Sequence, residues 1–219
     1  VLPDTHKQIL TVQYRMRRNI GNLISQVFYE GKIATEVDDK NRMHPIKKFA
    51  GKSIIWIDTS MMDRKDESRL KGGSYCNYAE NTLVKKLLEG FKNEGVLPNL
   101  DIGIITGYRG QKDLIRKSVN NSGYDRIAKG IDINTLDAFQ GRENDIIIYS
   151  TVRTKNSIGF QKEKERVNVA FSRAKNLLII CGDMDFFYKF DDPDNKFIEI
   201  IDYICEHEDE CLVIPGGEI

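Results

Sequence analysis

Three short stretches of the chain carry residue types that recognise nucleotides and phosphates. Between Leu10 and Met16, Tyr14 offers a π-face beside the planar guanidinium of Arg15, so one residue can stack on a base while its neighbour reaches a phosphate. Between Thr135 and Glu143, Thr135 and Asp137 stand where an apolar run ends, Gly141 allows a close backbone approach, and Glu143 can accept hydrogen bonds from ribose hydroxyls. Between Arg166 and Ala174, the residues Val167, Ala170, Phe171 and Ala174 have the spacing of a buried helical stripe. Arg166 and Arg173, seven positions apart, are expected on one face of that helix, two turns from each other. Taken singly, each stretch has a commonplace reading: a surface ion pair, a hairpin turn, or arginines on a wet helix face.

A fourth stretch imitates a phosphate site without being one. Gly51, Lys52 and Ser53 have the order that ends a P-loop. The motif requires another glycine five positions before Gly51, where the chain has Ile46. It also follows a strand and opens a helix, whereas here the apolar strand comes after the lysine and serine. Asp58 ends that strand as a magnesium-binding carboxylate would, with no acidic neighbour beside it. By itself the chain is expected to lack the usual means of holding a nucleoside triphosphate, and no metal ligands are assigned to it.

The elements that must position these residues follow from periodicity. Ile20, Leu23, Ile24, Val27 and Phe28 predict a helix that Gly31 stops, and Ser53–Asp58 a short buried strand. Residues 61–73 are charged, end in two glycines and read as an exposed loop. Leu83, Val84, Leu87, Leu88 and Phe91 predict a second helix. From there strands and helices alternate: Ile102–Thr106 a strand, Gln111–Val119 a helix, Ile131–Leu136 and Asp145–Val152 strands, Lys164–Lys175 a helix, Leu177–Gly182 a strand, then helices near Met184–Phe190 and Lys196–Cys205. Such alternation implies an α/β fold with a mainly parallel sheet covered on both faces. In these folds ligands bind beyond the carboxyl ends of the strands, here the turns after Thr106, Leu136 and Val152. The turn from Gly107 to Gly110, ahead of a helix, can also present backbone N–H groups to a phosphate.

The charge is unevenly placed. Over 219 residues, 33 Lys and Arg balance 33 Asp and Glu, but residues 1–182 hold 31 basic and 21 acidic side chains while residues 183–219 hold 2 and 12. A basic body with an acidic tail keeps phosphate-bearing partners in play despite the zero net charge. No apolar run approaches the roughly 18 residues that a membrane span needs. Cys76, Cys181, Cys205 and Cys211 show no metal-ligand spacing, and Cys181 reads as a small core residue. Cys205, His207 and Cys211 fall short of the four ligands of structural zinc. The chain opens on Val1 without a leader, which reads as a piece of a longer, intracellular (cytoplasmic) protein. A single domain over residues 1–219 is expected, with a core over about 10–183 and an acidic helical tail over 184–219.

In this order and spacing the stretches resemble the second RecA-like domain of superfamily 1 helicases, nearest the branch of the nonsense-mediated-decay RNA helicase. The shared features stand here as Gln13–Met16, Thr106-Gly107-Tyr108 with Gln111, Asp137–Glu143, Ile158–Phe160 and Asn168–Ala174. Two positions depart from the family: Arg17 and Arg18 follow Met16 in place of His-Pro, and Gly107 replaces a proline. The resemblance implies a RecA-like fold, related to P-loop NTPases but lacking its own P-loop. It implies ATP with Mg2+ held mainly by the N-terminal RecA-like domain of the same parent chain. Arg15 and Arg173 would then be arginine fingers facing the γ-phosphate across the cleft. Tyr14 would pack at the base, with Gln140, Gly141 and Glu143 around the nucleotide and Glu143 on the ribose. Single-stranded DNA or RNA would cross the top of the sheet, its backbone contacted by Thr106, Tyr108, Gln111, Thr135, Asp137 and Arg153. The isolated chain would be inactive. The alternative is a non-catalytic nucleic-acid-binding or regulatory module that kept the fold. Two retained phosphate-directed arginines argue against it.

Overall fold

The computed structural model describes residues 11–139 and 141–219. Two strands, Val12–Gln13 (β1) and Ala34–Thr35 (β2), flank the helix Arg18–Tyr29 (α1). They are followed by Ile54–Asp58 (β3), the short hairpin Ser68–Arg69 (β4) and Tyr75–Cys76 (β5), and the helix Tyr78–Asn93 (α2). The alternating part runs Asp101–Thr106 (β6), Arg109–Ser122 (α3), Gly130–Thr135 (β7), Asn144–Ser150 (β8), Lys164–Phe171 (α4) and Ala174–Gly182 (β9). The chain closes with Met184–Lys189 (α5), Phe197–Glu206 (α6) and Cys211–Pro215 (β10).

Six of the strands form one parallel sheet in the order β10-β3-β9-β8-β6-β7. Its central strands are apolar at successive positions, so neither face can meet water and each needs a helical layer. Side chains alternate between faces. Ile54, Trp56, Ile147, Tyr149, Leu178 and Ile180 pack under α1, α4 and α6. Ile55, Ile57, Ile146, Ile148, Ile179 and Cys181 pack under α2 and α3. The expected α/β class and parallel sheet are present.

Several sequence expectations are corrected. The helix predicted over Lys164–Lys175 ends at Phe171, because the Arg173 carbonyl accepts from the Asn144 N–H at 3.2 Å and Ala174 pairs with Asn144. The sheet ladder captures the backbone three residues before the apolar run begins, so Ala174 is buried in a strand and not on a helical stripe. Arg166 and Arg173 therefore do not share a helix face. The acidic tail is not wholly helical either: β10 pairs along β3 from Cys211↔Ile54 to Pro215↔Asp58. Nor does the core stop at 183, since Phe187, Phe197, Ile200, Tyr203, Ile204 and Cys211 are buried in the same cluster as Trp56. The tail carries its acidic side chains outward and completes the fold.

Candidate nucleotide edge and strand groove

Gln13 organises the first motif. Its Oε1 accepts from the N–H groups of Arg15 (2.9 Å) and Met16 (2.8 Å), and its Nε2 donates to Met16 O (3.1 Å) and Thr35 Oγ1 (2.7 Å). A Cβ on Gly21 would stand 2.1 Å from Thr35 Oγ1 and 2.6 Å from Gln13 Nε2, so a glycine in the first turn of α1 lets the helix close on this knot. The knot fixes the backbone from which Arg15 projects. Arg42 clamps the same turn from outside, donating to the carbonyls of Arg15 (2.9 Å) and Tyr14 (3.3 Å).

Arg15 and Arg173, 158 positions apart in sequence, meet on one edge. Arg15 Nε donates to Glu143 Oε2 at 2.6 Å and its Nη1 to Ser172 O at 3.2 Å. Lys175 Nζ lies 3.3 Å from the other Glu143 oxygen. The hydrogen bond from Arg15 holds the Glu143 carboxyl below its ordinary range, with Lys175 adding to it against the cost of burial. Arg173 donates to two carbonyls, Val169 O at 3.1 Å and Arg142 O at 3.5 Å. Burial first, and then the neighbouring Arg15 charge, push its pKa down, while the Glu143 carboxylate pulls it up. Tyr14 stands in the open at 62% exposure, its hydroxyl donating to Glu36 at 3.2 Å. Gly141 adopts φ 83°, the left-handed conformation that glycine tolerates, beside Glu143. Three cations around one carboxylate, next to an exposed aromatic ring, form an edge suited to a polyanion with an attached base. The Gln140 expectation lies outside the described residues.

The second site is a groove of about 640 Å³ beyond the carboxyl ends of β6 and β7. Gly107, Thr135 and Asp137 line it together with Tyr75, Tyr108, Arg109, Lys112, Phe160 and Arg166. Thr135 is half-buried and Asp137 exposed, so both reach the surface where the sequence placed them. Tyr108 forms a wall, 4% exposed, its ring 5.6 Å from Tyr75 and 5.3 Å from Phe160.

Three other residues expected to contact the strand are buried. Gln111 is fully buried: it accepts from Asn77 N at 2.8 Å and donates to Asn77 O at 3.2 Å and Ser150 Oγ at 2.9 Å. Thr106 is fully buried as well, its hydroxyl oxygen accepting from Tyr108 N at 3.4 Å. Arg153 is 6% exposed, with Nε on Glu67 Oε2 at 3.0 Å, Nη1 on the Tyr108 hydroxyl at 3.3 Å, and the guanidinium carbon 4.4 Å from the Tyr75 ring centroid. These side chains hold the groove walls from behind.

Beneath them Glu80 is completely buried. It accepts from Ser150 Oγ (2.5 Å), Thr151 Oγ1 (3.1 Å) and Val152 N (2.8 Å), yet burial pushes its carboxyl up to about 8. The anchored turn is strained. Val152, β-branched and fully buried, sits at φ 72° where such residues are outliers. Nothing in the sequence marked Glu80 or Glu67, because a glutamate on a helix or in a loop is ordinarily a solvated charge. Tyr75, Arg109, Lys112 and Lys175 also carry no signal in the sequence; Tyr75 follows residues 61–73, which read as an exposed loop although a hairpin begins within them.

Gly51-Lys52-Ser53 is turned away from phosphate chemistry. Arg17, 6% exposed, donates to the carbonyls of Gly51 (2.9 Å) and Lys52 (3.0 Å) and pairs with Glu210 at 3.2 Å. Carbonyls facing a cation are the inverse of amides cradling an anion. The arginine at 17 is thus a structural staple between α1, β3 and the tail.

Comparison with known proteins identifies a family and several relatives. The model of the AAA domain family AAA_12 matches residues 2–185. A regulator of nonsense transcripts 1 homolog from Neurospora crassa is 35% identical over 182 residues, covering 79% of this chain and 16% of that protein. The ATP-dependent helicase upf1 of Schizosaccharomyces pombe is 35% identical over 183 residues, covering 79% and 19%. The DNA polymerase alpha-associated DNA helicase A of Saccharomyces cerevisiae is 31% identical over 215 residues, covering 91% and 30%. The chain thus spans less than a third of the length of each of these relatives. With the family model matching most of its length, the chain belongs to the AAA_12 family, the C-terminal helicase domain of Upf1-like superfamily 1 helicases.

Proposed function

We propose that the chain is the second motor domain of an ATP-dependent helicase, completing a nucleotide site whose P-loop lies on a preceding RecA-like domain of the parent protein. The observation that carries the reading is the convergence of Arg15 and Arg173, with Arg173 bonded only to backbone carbonyls among the described residues. A fixed, planar cation with no carboxylate hydrogen-bonded to it among the described residues suits an anion presented by another body. Bound ATP with Mg2+ would supply the polyphosphate charge and the leaving group. Arg15 and Arg173 face the γ-phosphoryl oxygens, where such fingers are worth about 10³ to 10⁵ in rate. Glu143 and Gly141 face the ribose, and Tyr14 the base.

The groove holds a single strand through its backbone, with Thr135 and Asp137 at the strand ends and Arg109 and Lys112 on phosphates. Contacts of this kind carry no sequence information, as movement along a strand requires. Names of relatives point to both nucleic acids: nonsense transcripts for one and a DNA helicase for another. The isolated 219-residue chain is expected to show no strand-stimulated ATP hydrolysis, because the finger side of the site cannot bind the triphosphate alone. Robust turnover by the pure chain would overturn the two-body reading.

A further inference from the structure

The segment Ile158–Phe160 has no part in the reading above, yet it is among the most tightly constrained around the groove. Gly159 adopts φ 63°, and a Cβ there would stand 1.9 Å from the Tyr108 hydroxyl oxygen and 3.0 Å from Arg153 Nη1. Only glycine fits both conditions. The turn is therefore pressed onto the Tyr108–Arg153–Glu67 cluster, with Ile158 fully buried beneath it.

The next residue, Phe160, is turned the other way. Its ring lines the groove at 46% exposure, tilted against Tyr108, with the Arg166 guanidinium carbon 5.2 Å from its centroid. A Cβ on Gly107 would make only ordinary van der Waals contact with Phe160, at 3.8 Å, so this neighbour leaves the ring where it is. A large aromatic held rigidly from behind and left half open in front does little for the core. Around it stand Arg109, Lys112 and Arg166. Opposing them are Glu163, 2.7 Å from Arg166, Asp137, 3.6 Å from Arg166, and Asp113, which neighbours Lys112 at 3.2 Å and Arg109 at 4.0 Å. An apolar partner would meet these cations unfavourably. A flat aromatic group joined to phosphates satisfies both the ring and the charges.

We propose that Phe160 is a stacking platform for one unpaired base of the bound strand, with Arg166 beside the ring and Arg109 and Lys112 on the flanking phosphates. The inference rests on the strand-binding reading of the groove and adds that a base is gripped here as well as the backbone. Every base has a π-face, so the platform is tolerant of sequence.

The test uses the full-length protein and a short single-stranded oligonucleotide in which 2-aminopurine is walked through the positions. Wild type should quench one position selectively. Phe160→Ala and Phe160→Leu should lose that quench and bind about tenfold more weakly, while Phe160→Trp keeps both. The salt dependence of binding should be unchanged in Phe160→Leu, whereas Arg109→Ala should lower its slope by about 0.7. Phe160→Leu retains bulk, so it decides the matter if Phe160→Ala melts. Strand binding by wild type with no quenched position, or with affinity indifferent to Phe160→Leu, overturns the platform and leaves the groove reading standing. Absence of any salt-dependent strand binding by wild type removes both.

Discussion

Glu143 and Arg15 are joined by a 2.6 Å hydrogen bond between carboxylate and guanidinium, across 128 positions of sequence. The pair links the segment before α1 to the turn before β8, and it joins the two residues expected on the ribose and on the γ-phosphate. The carboxylate supplies counter-charge to the cationic edge, with Lys175 on its other oxygen.

Both side chains of this pair are more than a third exposed, at 38% and 43%, so water and salt screen it. Glu143→Gln should change folding stability by less than about 1 kcal/mol while raising KM for ATP in the full-length protein several-fold. Parallel urea melts and ATPase titrations check this. A large loss of stability with unchanged KM would make Glu143 a structural residue only.

Gly159→Ala adds a Cβ 1.9 Å from the Tyr108 hydroxyl in a left-handed conformation. The backbone and steric costs together predict a destabilisation of about 2–4 kcal/mol. Removing that oxygen with Tyr108→Phe should restore part of it, which a double-mutant cycle of urea midpoints measures. Strict additivity would show that the turn relieves the clash elsewhere.

The tail should be indispensable. Phe197 packs 4.4 Å from Phe187 and 6.0 Å from Trp56, measured between ring centroids, and β10 covers the edge of β3. Phe197→Ala is expected to cost about 3–5 kcal/mol, and a chain ending at Asp183 should not fold cooperatively. A truncated chain with a sharp unfolding transition would return the tail to the status of an appendage.

Stability should also respond to Glu80. Its carboxyl is raised from an unfolded value near 4.5 to about 8 by burial, so the native state binds the proton more tightly than the unfolded state. The contribution is fully present below the unfolded value and is lost as pH rises through the folded one, because the unfolded chain ionises first. Stability should fall by a few kcal/mol, to order of magnitude, between about pH 4.5 and 8, and Glu80→Gln should flatten that component. Urea midpoints across the range check it, and equal slopes in both proteins would contradict it.

How far the sequence could be read depended on whether meaning was local. The apolar runs of β3, β6, β8 and β9 declare themselves, since a strand buried on both faces has no wet positions to disguise it. Tyr14, Arg15, Thr135, Asp137 and Glu143, singled out by their motifs, are at least partly exposed. What periodicity could not reveal was decided by contacts distant in sequence. Arg173 left its helix because Asn144 captured its carbonyl. Gln111 and Arg153 turned inward because Asn77 and Glu67, each more than 30 positions away, meet them there. Likewise β10, five residues long and beginning at a cysteine, becomes a strand by lying against β3.

The most direct test of the account is strand-stimulated ATP hydrolysis by the full-length protein carrying Arg173→Ala, set beside its nucleotide-free binding of a single strand. Loss of turnover by about 10³-fold or more, with strand affinity within a few-fold of wild type, is the predicted result. Wild-type turnover in the variant would contradict the finger role of Arg173 and the two-body site built on it.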